Sequence, residues 1–150
     1  GMIIHYHNRS KLTEEKENGA TFHKELKSLL SVSDVLSICC PATKETNNLI
    51  NKKTLEYLPQ GAVVTNVARG DIVNDEALIE ALNTRKVYAV GLDVYKGEPN
   101  LNPGYLKHKS AFILPHLGSA SKHTRTAMAD LAIDNIDEFF KTGSCKNKVN

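Results

Sequence analysis

Three side chains of complementary chemistry each come just after an apolar run: Arg69 in Ala68-Arg69-Gly70-Asp71, Glu98 in Glu98-Pro99, and His116 in Pro115-His116-Leu117-Gly118. An arginine offers a rigid two-pronged donor to a carboxylate or a carbonyl oxygen. An imidazole passes a proton near neutral pH. A carboxylate beside it orients the ring and raises its pKa by favouring the charged form. Together they make an apparatus for reducing a keto acid. Taken singly, each has a plainer reading: Arg69 paired with Asp71 or a helix end, Glu98 a solvated loop charge, His116 a capped loop histidine. Their coincidence at three strand ends favours the joint reading, because open α/β sheets bind ligands beyond the carboxyl ends of their strands. His5, His7, His23, His108 and His123 have no such placement and read as surface or structural residues. His5 and His7 share a strand face as metal ligands would, but no third ligand accompanies them, and no metal site is expected.

The elements that must position these residues are legible as alternating patterns. Residues 2–6 open the chain as an apolar strand, and two short helices follow at 13–18, ended by Gly19, and at 23–30. Residues 34–39 form a strand stopped by Cys40-Pro41, since proline cannot donate to a ladder. A helix is expected at 51–58. The nearly continuous apolar runs at 61–67 and 87–94 read as strands covered on both faces, separated by a helix from about Asn74 through Leu82. After a turn-rich loop, residues 111–114 form a last strand. From Ser119 to Gly143 runs the longest helical pattern, whose stripe of Met128, Leu131, Ala132, Ile136, Phe139 and Phe140 is expected to be core. With no hairpin signal, the order predicts an α/β fold built on a doubly wound, mainly parallel, Rossmann-like sheet. Residues 1–141 are expected to form one folded part and 142–150 a tail.

Composition narrows the function classes. The chain has 150 residues, 41% of them hydrophobic, which allows one ordinary domain with a core of its own. The formal charge is +2, with basic residues scattered except in the tail from Lys141 to Lys148, so nucleic acid is a poor partner. No run reaches the length of a membrane span, and residues 1–10 lack a signal-peptide layout. Three cysteines, two of them adjacent, make neither a disulfide framework nor a zinc pattern. A cytoplasmic location is expected.

Four ordered runs carry a resemblance. They are Asp34-Val35-Leu36-Ser37-Ile38-Cys39-Cys40-Pro41-Ala42-Thr43-Lys44-Glu45-Thr46; Gly61-Ala62-Val63-Val64-Thr65-Asn66-Val67-Ala68-Arg69-Gly70-Asp71-Ile72-Val73; Gly91-Leu92-Asp93-Val94-Tyr95 through Glu98-Pro99; and Leu114-Pro115-His116-Leu117-Gly118-Ser119-Ala120. Across nearly the whole chain the sequence resembles the D-isomer-specific 2-hydroxyacid dehydrogenases. The resemblance implies that Arg69 binds the substrate carboxylate and carbonyl, that His116 is the acid/base, and that Glu98 orients it. It implies also that Asp93 meets the nicotinamide carboxamide, and that Cys40, Pro41, Thr46, Val67, Ala68 and Gly118 line the cofactor, with Arg69 and His116 beside it. The glutamate at position 98, where related formate dehydrogenases carry glutamine, favours hydroxyacid chemistry.

One family feature is missing. No two of the nine glycines are spaced as G-x-G, so the G-x-G-x-x-G turn that admits a pyrophosphate is absent. The chain is expected to begin just past that turn, as the C-terminal part of a longer dehydrogenase, with its Rossmann sheet truncated at the N-terminal strand. Two strand edges would then be bare, and they are expected to be buried either by direct pairing of the first strand with the strand at 61–67 or in a homodimer. Little turnover is expected of this chain alone. After the first strand, where an acidic residue would accept from a ribose 2′-hydroxyl, stands Asn8, followed by Arg9 and Ser10; this favours NADP over NAD. The plainer alternative has Arg9 capping a loop or touching the adenine. The partner implied is a small 2-keto or 2-hydroxy acid of the glyoxylate or hydroxypyruvate kind. Two other readings stand beside the enzyme: a non-catalytic cofactor-sensing or dimerisation module, like the C-terminal-binding-protein corepressors that resemble this family, and a folded truncation without function.

Overall fold

The computed structural model describes residues 1–149 and divides into two compact units, Gly1–Pro115 and the segment from His116 onward. The first unit holds six strands, all paired in parallel. β1 (His5–Tyr6) pairs with β2 (Thr21–Phe22) in a two-stranded sheet. A second sheet of four strands has the order β3 (Val35–Ile38), β4 (Ala62–Asn66), β5 (Val87–Leu92), β6 (Ala111–Ile113). Helices or turns connect every pair, as parallel pairing requires: α1 (Glu14–Glu17), α2 (Leu26–Leu30), α3 (Lys52–Leu55) and α4 (Asp75–Asn83). The fold is the expected parallel α/β type.

Helix starts follow from local chemistry. The Asn51 side chain accepts from the backbone N–H groups of Lys53 and Thr54, while Thr54 Oγ1 accepts from the Asn51 N–H, a reciprocal cap for α3. Asn74 Oδ1 accepts from the Ala77 N–H at 2.8 Å and starts α4. The core lies between the four-stranded sheet and these helices, with Leu36, Ile38, Val64, Val90, Leu78 and Leu82 buried. Tyr105, on a short 3-10 turn, is buried with them, and its hydroxyl donates to Asp75 Oδ1 at 2.9 Å.

Several expectations are corrected. The first strand is shorter than residues 2–6: Met2, Ile3 and Ile4 are exposed, and β1 finds a partner only at Thr21 and Phe22. An unexpected strand, β2, stands just before the helix expected at 23–30, because a β-branched and aromatic pair is too short to show a period, and α2 starts only at Leu26. Direct pairing of the first strand with β4 does not occur; β1 and β4 lie in separate sheets. The other strands agree with expectation to within two residues at each end.

The second unit is dominated by α5 (Lys122–Thr142). Ser121 Oγ accepts from the Thr124 N–H at its start, and Gly143, at φ 75°, closes it with a left-handed cap. The Lys146 N–H donates to Glu138 Oε2 at 3.0 Å, and Asn147 Nδ2 donates to Asn135 Oδ1 at 3.1 Å. The stripe expected to be core is not: no residue of α5 is buried, and Met128, Leu131, Ile136, Phe139 and Phe140 are each more than half exposed. An apolar stripe shows which face of a helix seeks cover, and says nothing of whether the cover is in the same chain.

Candidate active site and cofactor face

Register aligns the strand ends of the four-stranded sheet. Ile38 is level with Asn66, Asn66 with Leu92, and Leu92 with Ile113, so one row of residues crosses the sheet at its carboxyl edge. Cys40 and Pro41, Val67 to Arg69, and Asp93 therefore leave the sheet from one edge, where a parallel sheet binds its ligands. Asn8, Arg9 and Ser10 follow the separate strand β1 and are exposed. The Arg9 N–H donates to Asn8 Oδ1 at 2.9 Å.

The turn that carries Arg69 is held by Asn66, a residue the sequence reading did not single out. It is 1% exposed; its Nδ2 donates to the Arg69 carbonyl at 2.9 Å, and its Oδ1 accepts from the Ala68 N–H at 3.0 Å. The Asn66 carbonyl accepts from the Asp93 N–H at 3.0 Å, tying the next loop to the same residue. A buried amide at the end of an apolar strand, using its donors and acceptor on the adjoining turn, was the signal available in the sequence. Arg69 itself is exposed, and its Nη1 donates to the Ala68 carbonyl at 2.6 Å.

Gly70 brings this turn against the loop that carries Glu98. A Cβ built at Gly70 would collide with the Tyr95 carbonyl group and the Lys96 nitrogen, so the two backbones approach as only glycine permits. Glu98 is exposed, and its Oε1 accepts from the Tyr95 N–H at 3.1 Å, turning the carboxylate back on its own loop. A cation-bearing turn and a carboxylate-bearing loop are thereby packed together.

The expected cofactor-lining residues of the first unit occupy ordered turns. Thr46 Oγ1 donates to the Pro41 carbonyl at 2.8 Å and accepts from the Thr43 N–H at 2.7 Å, closing the 41–46 turn. Cys40 is half-buried, and desolvation pushes its thiol above the ordinary value, which keeps it protonated. A cavity of about 480 Å³ opens at this turn, lined by Ala42, Thr43, Lys44, Asn47 and Asp71. Val67 is 59% exposed and leaves an apolar face uncovered, while Ala68 and Asp93 are half-buried. An apolar face beside polar turns fits a flat heteroaromatic group better than a free anion.

His116 and Gly118 lie in the second unit. His116 and Ser119 adopt left-handed backbone angles, φ 58° and 59°, and bend the chain sharply ahead of α5. His116, Gly118, Ser119, Arg125 and Met128 line a cavity of about 470 Å³. Arg125 brings a guanidinium to the same cavity as the imidazole. It was not among the residues expected at the site, and its place in the first turn of a helix that starts shortly after His116 was the signal available.

Elsewhere, His5 Nδ1 lies 2.9 Å from His23 Nε2, and His23 Nδ1 lies 2.6 Å from Ser28 Oγ, so these rings are engaged with each other. Among the described residues no group of three His, Cys, Asp or Glu side chains is placed to hold a metal ion. No helix among them is long and apolar enough to cross a membrane.

A parallel α/β sheet whose strand ends carry these turns defines the dinucleotide-binding class of Rossmann-like domains. Comparison with known proteins makes the class particular. Residues 1–118 match the family described as D-isomer specific 2-hydroxyacid dehydrogenase, NAD binding domain, and the chain belongs to that family. It is 46% identical over 132 residues to a glycerate dehydrogenase of Hyphomicrobium methylovorum, covering 88% of this chain and 41% of that protein. A Polaromonas structure described as a D-isomer specific 2-hydroxyacid dehydrogenase superposes with a TM-score of 0.95 at 40% identity, covering 99% of this chain and 46% of that one. An NADPH-dependent glyoxylate/hydroxypyruvate reductase from Sinorhizobium meliloti, solved with NADP and malonate, gives 0.92 at 36% identity over 97% and 45% of the two chains. The chain thus spans less than half the length of these relatives.

Proposed function

We propose that these residues are the nucleotide-binding part of an oxidoreductase that reduces a small 2-keto acid of the glyoxylate or hydroxypyruvate kind, with NADPH preferred to NADH. The observation that carries the reading is the Arg69 turn, locked by Asn66 and packed through Gly70 against the Glu98 loop, in a chain of this family. The nicotinamide, when bound, supplies the hydride. Arg69 clamps the carboxylate and polarises the carbonyl, which positions the acid and favours charge developing on oxygen. His116 gives its proton to that oxygen, with Glu98 as its orienting carboxylate. Arg125, which lines the same cavity as His116, adds a cation there.

At the cofactor, Cys40, Pro41, Thr46, Val67 and Ala68 line the face, Asp93 meets the carboxamide, and Gly118 lets the backbone come close. Asn8, Arg9 and Ser10 receive the adenosine ribose. A neutral Asn8, whose oxygen is already occupied by the Arg9 N–H, sets no negative charge against a 2′-phosphate. The relatives named as glycerate dehydrogenase and as glyoxylate/hydroxypyruvate reductase support this substrate class, and the one solved with NADP supports the cofactor. Three free thiols suit a reducing, cytoplasmic compartment.

The test is kinetic, in the full-length enzyme that contains these residues. Glyoxylate and hydroxypyruvate should be reduced with NADPH more efficiently than with NADH, and His116→Ala should lower kcat about 10²- to 10⁴-fold. Unchanged kinetics for His116→Ala would remove its role. A second reading, a dimerising or cofactor-sensing module, is favoured by the uncovered α5 face. It predicts a stable dimer of this chain and no turnover by the full-length protein.

A further inference from the structure

Asn8, Arg9 and Ser10 are exposed and follow a strand of only two residues, so the ladder does little to hold them. Two side chains hold them instead. His7 Nδ1 donates to the His23 carbonyl at 2.9 Å and pins the start of the segment to the residue after β2. The Tyr6 hydroxyl accepts from the Leu12 N–H at 2.9 Å and pins its end, while donating to Glu17 Oε1 at 2.5 Å. Glu17 is well covered, 12% exposed at its side chain, and its other oxygen pairs with Lys11 at 3.5 Å. The ring of Tyr6 stacks at a tilt on Phe22, with centroids 5.2 Å apart, so the hydroxyl that makes the clip stands on a fixed support. Residues 8–11 are therefore bridged at both ends to β2 and α1 by groups that contribute nothing else visible. A loop fixed beforehand loses less freedom when it closes on a ligand.

From this geometry we infer that Tyr6 and His7 are positioning residues: they pre-order Asn8, Arg9 and Ser10 for a 2′-phosphate, so that preference for the phosphorylated cofactor depends on the Tyr6 hydroxyl. The inference rests on the NADP reading above. Glu17 takes part by holding the hydroxyl, and an amide in its place still accepts that bond.

The experiment is a nuclear magnetic resonance titration of this chain, and of its variants, with adenosine 2′,5′-bisphosphate and with ADP. The unaltered chain should bind the 2′-phosphorylated probe about tenfold more tightly, the worth of a charge-assisted hydrogen bond. Tyr6→Phe should erase most of that preference while leaving ADP affinity unchanged; His7→Ala should act in the same direction; Glu17→Gln should keep it. Retained ADP binding, together with amide-exchange protection at Thr21 and His23, whose N–H groups donate to the Ile4 and Tyr6 carbonyls, shows that β1 and β2 remain paired. Equal losses for both probes, or a preference that survives Tyr6→Phe and His7→Ala, would overturn the inference and leave the NADP reading standing. No preference in the unaltered chain, or no binding of either probe, would overturn that reading and the inference with it.

Discussion

Gly70 and Asn66 do the local work that lets Arg69 act, and both can be tested by stability. Gly70→Ala forces a Cβ into the Tyr95–Lys96 backbone and should cost about 1–3 kcal/mol in urea unfolding, as overpacking does. Asn66→Ala leaves the Arg69 carbonyl and the Ala68 N–H without their buried partner and should cost about 1–3 kcal/mol. Arg69→Lys should not restore the KM lost in Arg69→Ala in the full-length enzyme, because a point charge cannot replace a fork. The Asp75–Tyr105 pair gives a pH dependence. Burial, and then Asp75, raise the Tyr105 phenol above its ordinary value, and burial raises the Asp75 carboxyl. Both shifts favour the neutral forms in the folded state. Stability is therefore fully present below the unfolded-state values and lost as pH rises past them. The tyrosine's share is lost above about pH 10. Tyr105→Phe should flatten that alkaline limb in melts across pH; an unchanged limb would assign it elsewhere. The places of Arg69, Glu98 and His116 after strands were legible, because strand ends are where a parallel sheet binds. Asn66 was not, since it reads as the last residue of a strand, and its two turn bonds exist only once the turn is formed.

At the scale of elements, the sheet was easier to read than the helices. Strands such as Val87–Leu92 appear as nearly unbroken apolar runs bounded by prolines, glycines and polar turns, although this strand is not covered on both faces as expected: Val87, Val90 and Leu92 are buried and Tyr88 is exposed. Thr21–Phe22 escaped because two residues carry no period, and its existence depends on β1 lying alongside. α5 shows the opposite limit: its stripe is plain in the sequence, but its partner is not encoded in its spacing. Because that stripe is exposed, Phe140→Ser and Ile136→Ser should each change the stability of the isolated chain by no more than about 0.5 kcal/mol. If the chain forms a homodimer through this face, the same substitutions should shift its sedimentation toward monomer. Large losses of stability with no change in association would show that α5 is covered within the chain.

For the whole molecule, the expected sheet is present in two pieces, one of two strands and one of four, and the residues present include no G-x-G-x-x-G turn. The fold is that of the family, yet the chain spans less than half the length of the relatives it matches. In the proposed function Arg69, Glu98 and His116 act on the acid, and the residues present carry no glycine-rich turn for a pyrophosphate. Cofactor binding by this chain should therefore be weak and its turnover low, since an open site keeps water against the reacting groups. The most direct measurement is a fluorescence titration of the chain with NADPH and with NADH, with light scattering on the same sample. The account predicts saturable, weak binding with NADPH clearly favoured. Tighter binding of NADH would contradict the cofactor reading, and no response to either up to about millimolar concentration would contradict the assignment of a nucleotide face to these residues.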